Sequence, residues 1–489
     1  VQDNLSCTLQ KKFLFHVICV MNLLTFSSQR TRMRLTFFLI LFLALLSPMT
    51  AKPAHAQESL AQILTQTYET NPDLIAARSE LRATNETYNQ AISGWRPSIS
   101  TIGSYGTINE STSPKITSGK ADRNPSSIGL QATQPLYRGG RTTAATKASL
   151  ADIERGRAAL LDREQNILLA TVTAYMDVVA AQAALNVTEN NQKVLQRNLD
   201  ATKDRFRVGE VTLTDVAQAE SRLAGAKSEV TTAMGKLNTA KATFERLTGR
   251  VPGMLQPPDI VLTLPVNLDE AVVLGRNESP RVIAAIKARE SARYQVREAK
   301  GSLLPEASLQ ASAEKNKEQS VSIKDSDTYS LIGRLTIPLY QSGAEWARVR
   351  QAQQIEAQRR SEQLNAERQT TEFTVQSWDG LRTSRSQLEA FSSQIKAAEV
   401  ALDGVRQEAL VGSRTVLDVL NAEQELLGAR LNKIRAERDE VVAQYTLLAA
   451  TGRLTAASLD LKTNVPNPLA DFEATRGKWF GFADVGKVD

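Results

Sequence analysis

Two matched turns carry the residues best placed to do chemistry. The first reads Val208-Gly209-Glu210-Val211-Thr212-Leu213-Thr214-Asp215-Val216, and the second Val411-Gly412-Ser413-Arg414-Thr415-Val416-Leu417-Asp418-Val419. Each sets a carboxylate three residues after a threonine. That is the spacing of a capping box, with the acid at a helix start where the dipole favours negative charge. Gly209 and Gly412 stand where left-handed helix ends are expected. Arg414 has no capping role, so it is left for pairing with an acid. No nucleophile–base pair accompanies these turns. The chain's histidines and cysteines are His16, His55, Cys7 and Cys19, and all four precede an expected signal cleavage after Ala56. The mature part should therefore have no disulfide, thiolate chemistry, His–metal site or Ser–His or Cys–His pair. No catalytic residue, metal or cofactor is assigned. Carboxylate-only hydrolysis stays formally open, although it would need a pocket of a kind that coiled coils rarely form.

The cleavage is read from Met33-Arg34, the 12-residue apolar run Leu35–Leu46 and the small-x-small site Ala54-His55-Ala56, which together make a secretory signal over 33–56. The run is short of the ~20 residues that a spanning helix needs. Residues 1–32 are read as an upstream extension outside the mature protein, with a longer leader as the alternative. The formal charge of +6 belongs to this leader, because residues 1–56 hold six basic residues and one acid, and removing them leaves +1. The mature chain thus lacks the basic footprint of a nucleic-acid binder.

The elements that must position the two turns come in duplicate. Pro72 and Pro280 open matching segments, and Pro97 matches Pro305 at the same offset of 208. Gln134-Pro135-Leu136-Tyr137-Arg138-Gly139-Gly140 matches Ile337-Pro338-Leu339-Tyr340-Gln341-Ser342-Gly343 at offset 203, as do the two turns and Thr248-Gly249-Arg250 with Thr451-Gly452-Arg453. The expected layout is a first repeat over 57–250, a Pro-rich linker over 251–267, a second repeat over 268–455 and a less patterned tail over 456–489.

Each repeat predicts the same series. A modest helix comes first, about 73–93 and 280–300, with a proline tolerated in its first turn. Two strand-like segments follow, 97–107 and 127–137 in one copy and 306–313 and 329–340 in the other, with polar loops at 109–124 and 315–327. In the last strand Leu331, Gly333, Leu335 and Ile337 alternate with Ile332, Arg334 and Thr336. Then comes a helix without proline from Arg141 to Arg207, and another from Ala344 to Leu410; about 66 residues at 1.5 Å rise give roughly 100 Å. Leu388, Phe391, Ile395, Ala398, Leu402, Val405 and Ala409 form a coiled-coil seam. In the first copy the seam runs Leu168, Val172, Tyr175, Val179 and meets Gln182, so the stripe is expected to slip to Ala183 and Val187. Returning helices are predicted over 215–247 and 418–448.

Four strands cannot close a barrel, for which about eight are the minimum, and an open edge cannot face lipid. Strands pooled from three chains would make twelve. At this point the order, spacing and duplication over residues 57–455 resemble the TolC-like outer membrane efflux proteins, marked by two Pro-Leu-Tyr-x-x-Gly strand exits and the paired helix-tip turns. The fold class is thus mainly α with a small β part: duplicated coiled-coil hairpins plus four strands per chain. The resemblance implies a homotrimer with a twelve-stranded outer-membrane barrel in lipid on a periplasmic helical tunnel. It also implies a periplasmic adaptor and an inner-membrane transporter, ABC or proton-driven, as partners, in an efflux pump or a type I secretion system. By the same resemblance Arg414 would reach Thr214 and Asp215 to hold the tips closed, so that Arg414→Ala would raise conductance, and Asp418 would face the lumen and bind cations. Asn421 stands where the family's best-known member has a second ring carboxylate, and Ala409 replaces a tyrosine that helps latch the tip. Val208, Gly209, Val411 and Gly412 match the adaptor-contacting turns, although Glu210 and Ser413 follow them in place of Leu and Thr. Tyr137, Tyr340 and Trp95 fit either an interfacial aromatic girdle or packing at the barrel–tunnel joint. The competing reading is a soluble periplasmic coiled-coil scaffold or adaptor.

Overall fold

The computed structural model describes residues 59–110, 121–258, 262–320, 323–463 and 467–482; the expected extension and signal peptide over 1–56 lie outside them. The helices begin where local chemistry can absorb their first N–H groups. Ser59 and Gln62 form a capping box for α1 (Leu60–Thr70), and Asn71 accepts from Asp73 and Leu74 at the start of α2 (Pro72–Ile92). Sequence patterning missed α1 and its counterpart α5 (Leu268–Glu278), which Asn267 caps. A short 3-10 turn, Ser93–Trp95, leads into β1 (Ser98–Tyr105). A small ribbon, β2 (Ile108–Glu110) with β3 (Ala121–Arg123), tips the hairpin before β4 (Ser126–Arg138) returns. The long helix α3 (Arg141–Arg207) and returning α4 (Leu213–Thr248) complete the series. The second series repeats it as α6 (Pro280–Gly301), β5 (Glu306–Lys317), β6 (Asp325–Thr336), α7 (Ala344–Leu410) and α8 (Val416–Ala450). A last helix, α9 (Pro468–Thr475), lies in the tail.

The four long strands form one antiparallel sheet in the order β1-β4-β5-β6, so β1 and β6 each have a strand on one side only. Directly paired residues share a face. The row Ile99, Ala132, Ala311, Leu331 is apolar, and the adjacent row Ser100, Gln131, Ser312, Ser330 is polar. Thr101, Leu130, Ala313 and Tyr329 continue the apolar face. On the polar face Ser312 and Ser330 share a hydroxyl hydrogen bond of 2.7 Å.

Below the sheet both series meet in one core. Leu168, Val172 and Tyr175 of α3 pack with Phe244 of α4, Tyr445 and Leu448 of α8, and Ile63 and Leu64 of α1. Full burial makes these residues costly to truncate, about 3–5 kcal/mol for an aromatic ring. Among the described helices only α3 has an 18-residue stretch apolar enough to cross a membrane, with mean hydropathy 1.5, and 44% of that stretch is buried in this packing. Beyond the core the hairpins thin out. In α7 the expected seam is where burial falls: Ala398 and Leu402 are buried and the other five positions half-buried. In α3 the stripe does not settle on Ala183 and Val187, which are half-buried. It runs from Val178 to Leu185 and Thr188, then Leu195, Leu199 and Thr202, all buried. Val178, half-buried Ala181, Leu185 and Thr188 step 3, 4, 3, so exposed Gln182 lies off the stripe.

Candidate functional site at the helix tips

At the free ends of the hairpins the two turns adopt one geometry. Gly209 and Gly412 have φ of +84° and +79°, which only glycine adopts without strain. Glu210 N donates to Arg205 O (2.9 Å) and Gly209 N to Phe206 O (3.0 Å), closing α3 in a Schellman motif. Ser413 and Gly412 repeat it on Glu408 O (3.0 Å) and Ala409 O (3.3 Å). The capping boxes form as their spacing requires. Asp215 Oδ2 accepts from Thr212 N and Oγ1, both at 2.8 Å, and Asp418 Oδ2 accepts from Thr415 N (3.0 Å) and Oγ1 (2.8 Å). Hydrogen bonds from the Thr415 backbone and hydroxyl, helped by Arg414, hold the Asp418 carboxyl below the ordinary aspartate range.

Arg414 finds its in-chain partner close by in sequence. Its Nε donates to Glu408 Oε2 at 2.8 Å, within its own hairpin, and Thr214 and Asp215 are not among its partners. The Glu408 contact raises the guanidinium's already high pKa, so Arg414 stays charged. Asn421 is not idle: its Oδ1 accepts from Arg222 Nη2 at 2.8 Å, linking α4 to α8. Val208 and Val411 are 73% and 81% exposed.

One buried polar contact between the two hairpins escaped sequence reasoning. Glu423 of α8 is 5% exposed. Both of its oxygens accept from Asn198 Nδ2 of α3 at 2.9 Å, and Oε1 also accepts from Arg406 Nη2 of α7 at 2.9 Å. A single carboxylate therefore ties three helices together just above the turns. Leu420 flanks it in an apolar layer with Leu195, Leu199, Val216 and Leu223. The signal was present: Leu420, Glu423 and Leu427 step by 3 and 4, so a charge sits on the stripe where an apolar side chain is due.

A two-faced sheet continuous with long paired helices that end in polar, cross-tied tips is the architecture of a channel-type subunit. No group of acids, histidines or cysteines that could hold a metal occurs among the described residues. The model of the outer membrane efflux protein family matches residues 63–250 and 273–453. The chain is 33% identical to the outer membrane efflux protein BepC of Brucella suis biovar 1 (strain 1330) over 433 residues, 88% of this chain and 92% of BepC. It is 27% identical to the outer membrane protein TolC of Escherichia coli (strain K12) over 426 residues, 82% of this chain and 84% of TolC. The Campylobacter jejuni CmeC outer membrane channel has the same fold, with TM-score 0.74 at 16% identity over 86% of this chain and 89% of CmeC. The chain belongs to the outer membrane efflux protein family. It is an outer-membrane channel subunit whose helices lie in the periplasm, and the soluble-scaffold reading falls away.

Proposed function

We propose that three copies pool their sheets, β1 of one chain pairing with β6 of the next, into a twelve-stranded barrel. Its apolar rows meet lipid and its polar rows line a water-filled lumen. The observation that carries this reading is the two-faced sheet with an unmatched strand at each end. Four strands cannot close on themselves, and an open edge in hydrocarbon leaves backbone groups unpaired. The hairpins continue the wall for roughly 100 Å.

In this reading the tips are the gate. The Glu423–Asn198–Arg406 clasp and the Arg222–Asn421 bond hold neighbouring hairpins together in the closed state. Three copies of Asp418, kept ionised by their caps, ring the constriction and favour cations, a recognised use of like charges. Asn421 in place of a second acid leaves the ring at half the charge. The exposed Val208-Gly209 and Val411-Gly412 turns are offered to a periplasmic adaptor, behind which an ABC or proton-driven inner-membrane transporter supplies the substrate.

The test is purification of the mature chain in detergent. A heat-resistant trimer that conducts ions across planar bilayers is expected, and it should co-purify with an inner-membrane transporter after cross-linking. A monomer freely soluble without detergent would sink the reading.

A further inference from the structure

The tail is built onto the helices beside the sheet. The Phe472 ring of α9 meets Tyr88 of α2 edge-on, with centres 5.6 Å apart at 83°. Asn89 then clamps the chain beyond α9: its Nδ2 donates to Thr475 O (3.0 Å) and its Oδ1 accepts from Gly477 N (2.9 Å). Arg96 makes the last attachment. It donates to Lys478 O (2.8 Å) and Gly477 O (3.0 Å), and its guanidinium lies 4.7 Å from the centre of the Trp479 ring. What this attachment presents is apolar. Trp479 and Phe480 are 58% and 91% exposed, and Phe482 is fully exposed.

Where the attachment sits identifies the occupant. Arg96 stands three residues before Ile99, the first residue of β1 on the apolar face. At ~3.3 Å per residue that is about 10 Å along the chain, comparable to the headgroup layer of roughly 5–8 Å on each side of a bilayer's apolar core. The aromatic cluster therefore lies at the depth where the sheet leaves the apolar core, at its helical end. The exposed Lys478 lies next to it, and large rings beside a basic side chain are the combination that settles at the headgroup–acyl boundary.

We infer that Trp479, Phe480 and Phe482 insert into the headgroup boundary of the periplasmic leaflet, with phospholipid as the ligand and Lys478 on its phosphates. The segment is a second membrane attachment, separate from the strands, which ties α2 to the bilayer and sets the depth of the sheet. The inference rests on the outer-membrane location and on the assignment of the apolar rows to lipid.

The test uses the full chain in vesicles of phosphatidylethanolamine and phosphatidylglycerol with brominated acyl chains. The protein's tryptophans are Trp95, Trp346, Trp378 and Trp479, so Trp479→Phe isolates the fourth. Wild type is expected to show a bromolipid-quenched component that Trp479→Phe lacks. In Phe480→Ser/Phe482→Ser, which touches no core side chain, Trp479 should become about two-fold more accessible to aqueous iodide. Superimposed bromolipid curves for wild type and Trp479→Phe would overturn the inference. So would a Trp479 shielded from both quenchers, which would assign the patch to a protein neighbour. Conductance measured in the same vesicles separates the two readings, since superimposed curves with normal conductance overturn the anchor and leave the channel standing.

Discussion

Glu423 occupies a position on α8 that its neighbours Leu420 and Leu427 would give to an apolar side chain. Its charge is tolerated because Asn198 and Arg406 supply the donors. Losing one donor leaves a buried acceptor underserved, at a cost of about 1–3 kcal/mol. Arg414 pairs with Glu408 where both side chains are half exposed, and such surface pairs contribute little. Asn198→Ala, which removes the donor from the neighbouring hairpin, should therefore raise single-channel conductance in planar bilayers more than Arg414→Ala does. Equal effects would remove the clasp from the gate. A second buried carboxylate acts on stability. Glu164 accepts from Ala456 N and faces Arg78 and Tyr68. Burial raises its pKa, and the Ala456 N–H and Arg78 only partly pull it back. A carboxyl whose folded pKa exceeds its unfolded one holds the extra proton in the folded state. Stability therefore falls as pH rises from the unfolded value through the folded one. Glu164→Gln keeps an acceptor for Ala456 and removes the charge. Its melting temperature should exceed that of wild type at neutral pH, and the gap should close as the buffer is acidified below the usual carboxylate range. A gap unchanged by pH, followed by circular dichroism in detergent, would contradict the assignment.

At the scale of elements, the turns depend on backbone conformation more than on side chains. A side chain at Gly209 or Gly412 must be held at φ near +80°, which costs about 1–2 kcal/mol. Gly209→Ala and Gly412→Ala should speed hydrogen exchange of the Glu210 and Ser413 amides roughly ten-fold, the equivalent of 1.4 kcal/mol. Gly404→Ala, inside α7 with open space around it, should instead stabilise its helix by up to about 1 kcal/mol. The two long helices were legible in sequence because sixty-odd residues without proline, bounded by glycines, leave few alternatives. The 11-residue α1 and α5 were not, since so short an apolar pattern is ambiguous until Ser59 and Asn267 are seen to cap it. The tail looked unpatterned because Phe472 and its neighbours bury against α2 and α3, hundreds of residues away in sequence. The capping boxes were readable for the opposite reason, being complete within four residues. The clasp joins residues 198, 406 and 423, and no local rule links them; only the misplaced charge on the α8 stripe hinted at it.

For the whole molecule, the decisive property is that successive residues of a strand live in different solvents. Ser330 and Leu331 are neighbours near the middle of β6, yet their paired rows are polar and apolar respectively. If three sheets close into a barrel, Leu331 points into hydrocarbon and Ser330 into the lumen. An arginine on the lipid face near the bilayer midplane costs about 2–4 kcal/mol, and a symmetric trimer would bear it three times. Leu331→Arg should therefore abolish the heat-resistant trimer in outer-membrane fractions. Ser330→Arg gives up one serine–serine hydrogen bond to Ser312 but keeps its charge in water. It should assemble at wild-type levels and shift ion selectivity toward anions, because it adds three positive charges to the pore wall. The two substitutions make the same chemical change one residue apart. Propensity, expression and overall charge therefore cannot account for opposite outcomes, whereas the pleat can. Assembly of Leu331→Arg together with loss of Ser330→Arg would invert the face assignment, and with it the direction in which the chain wraps its lumen.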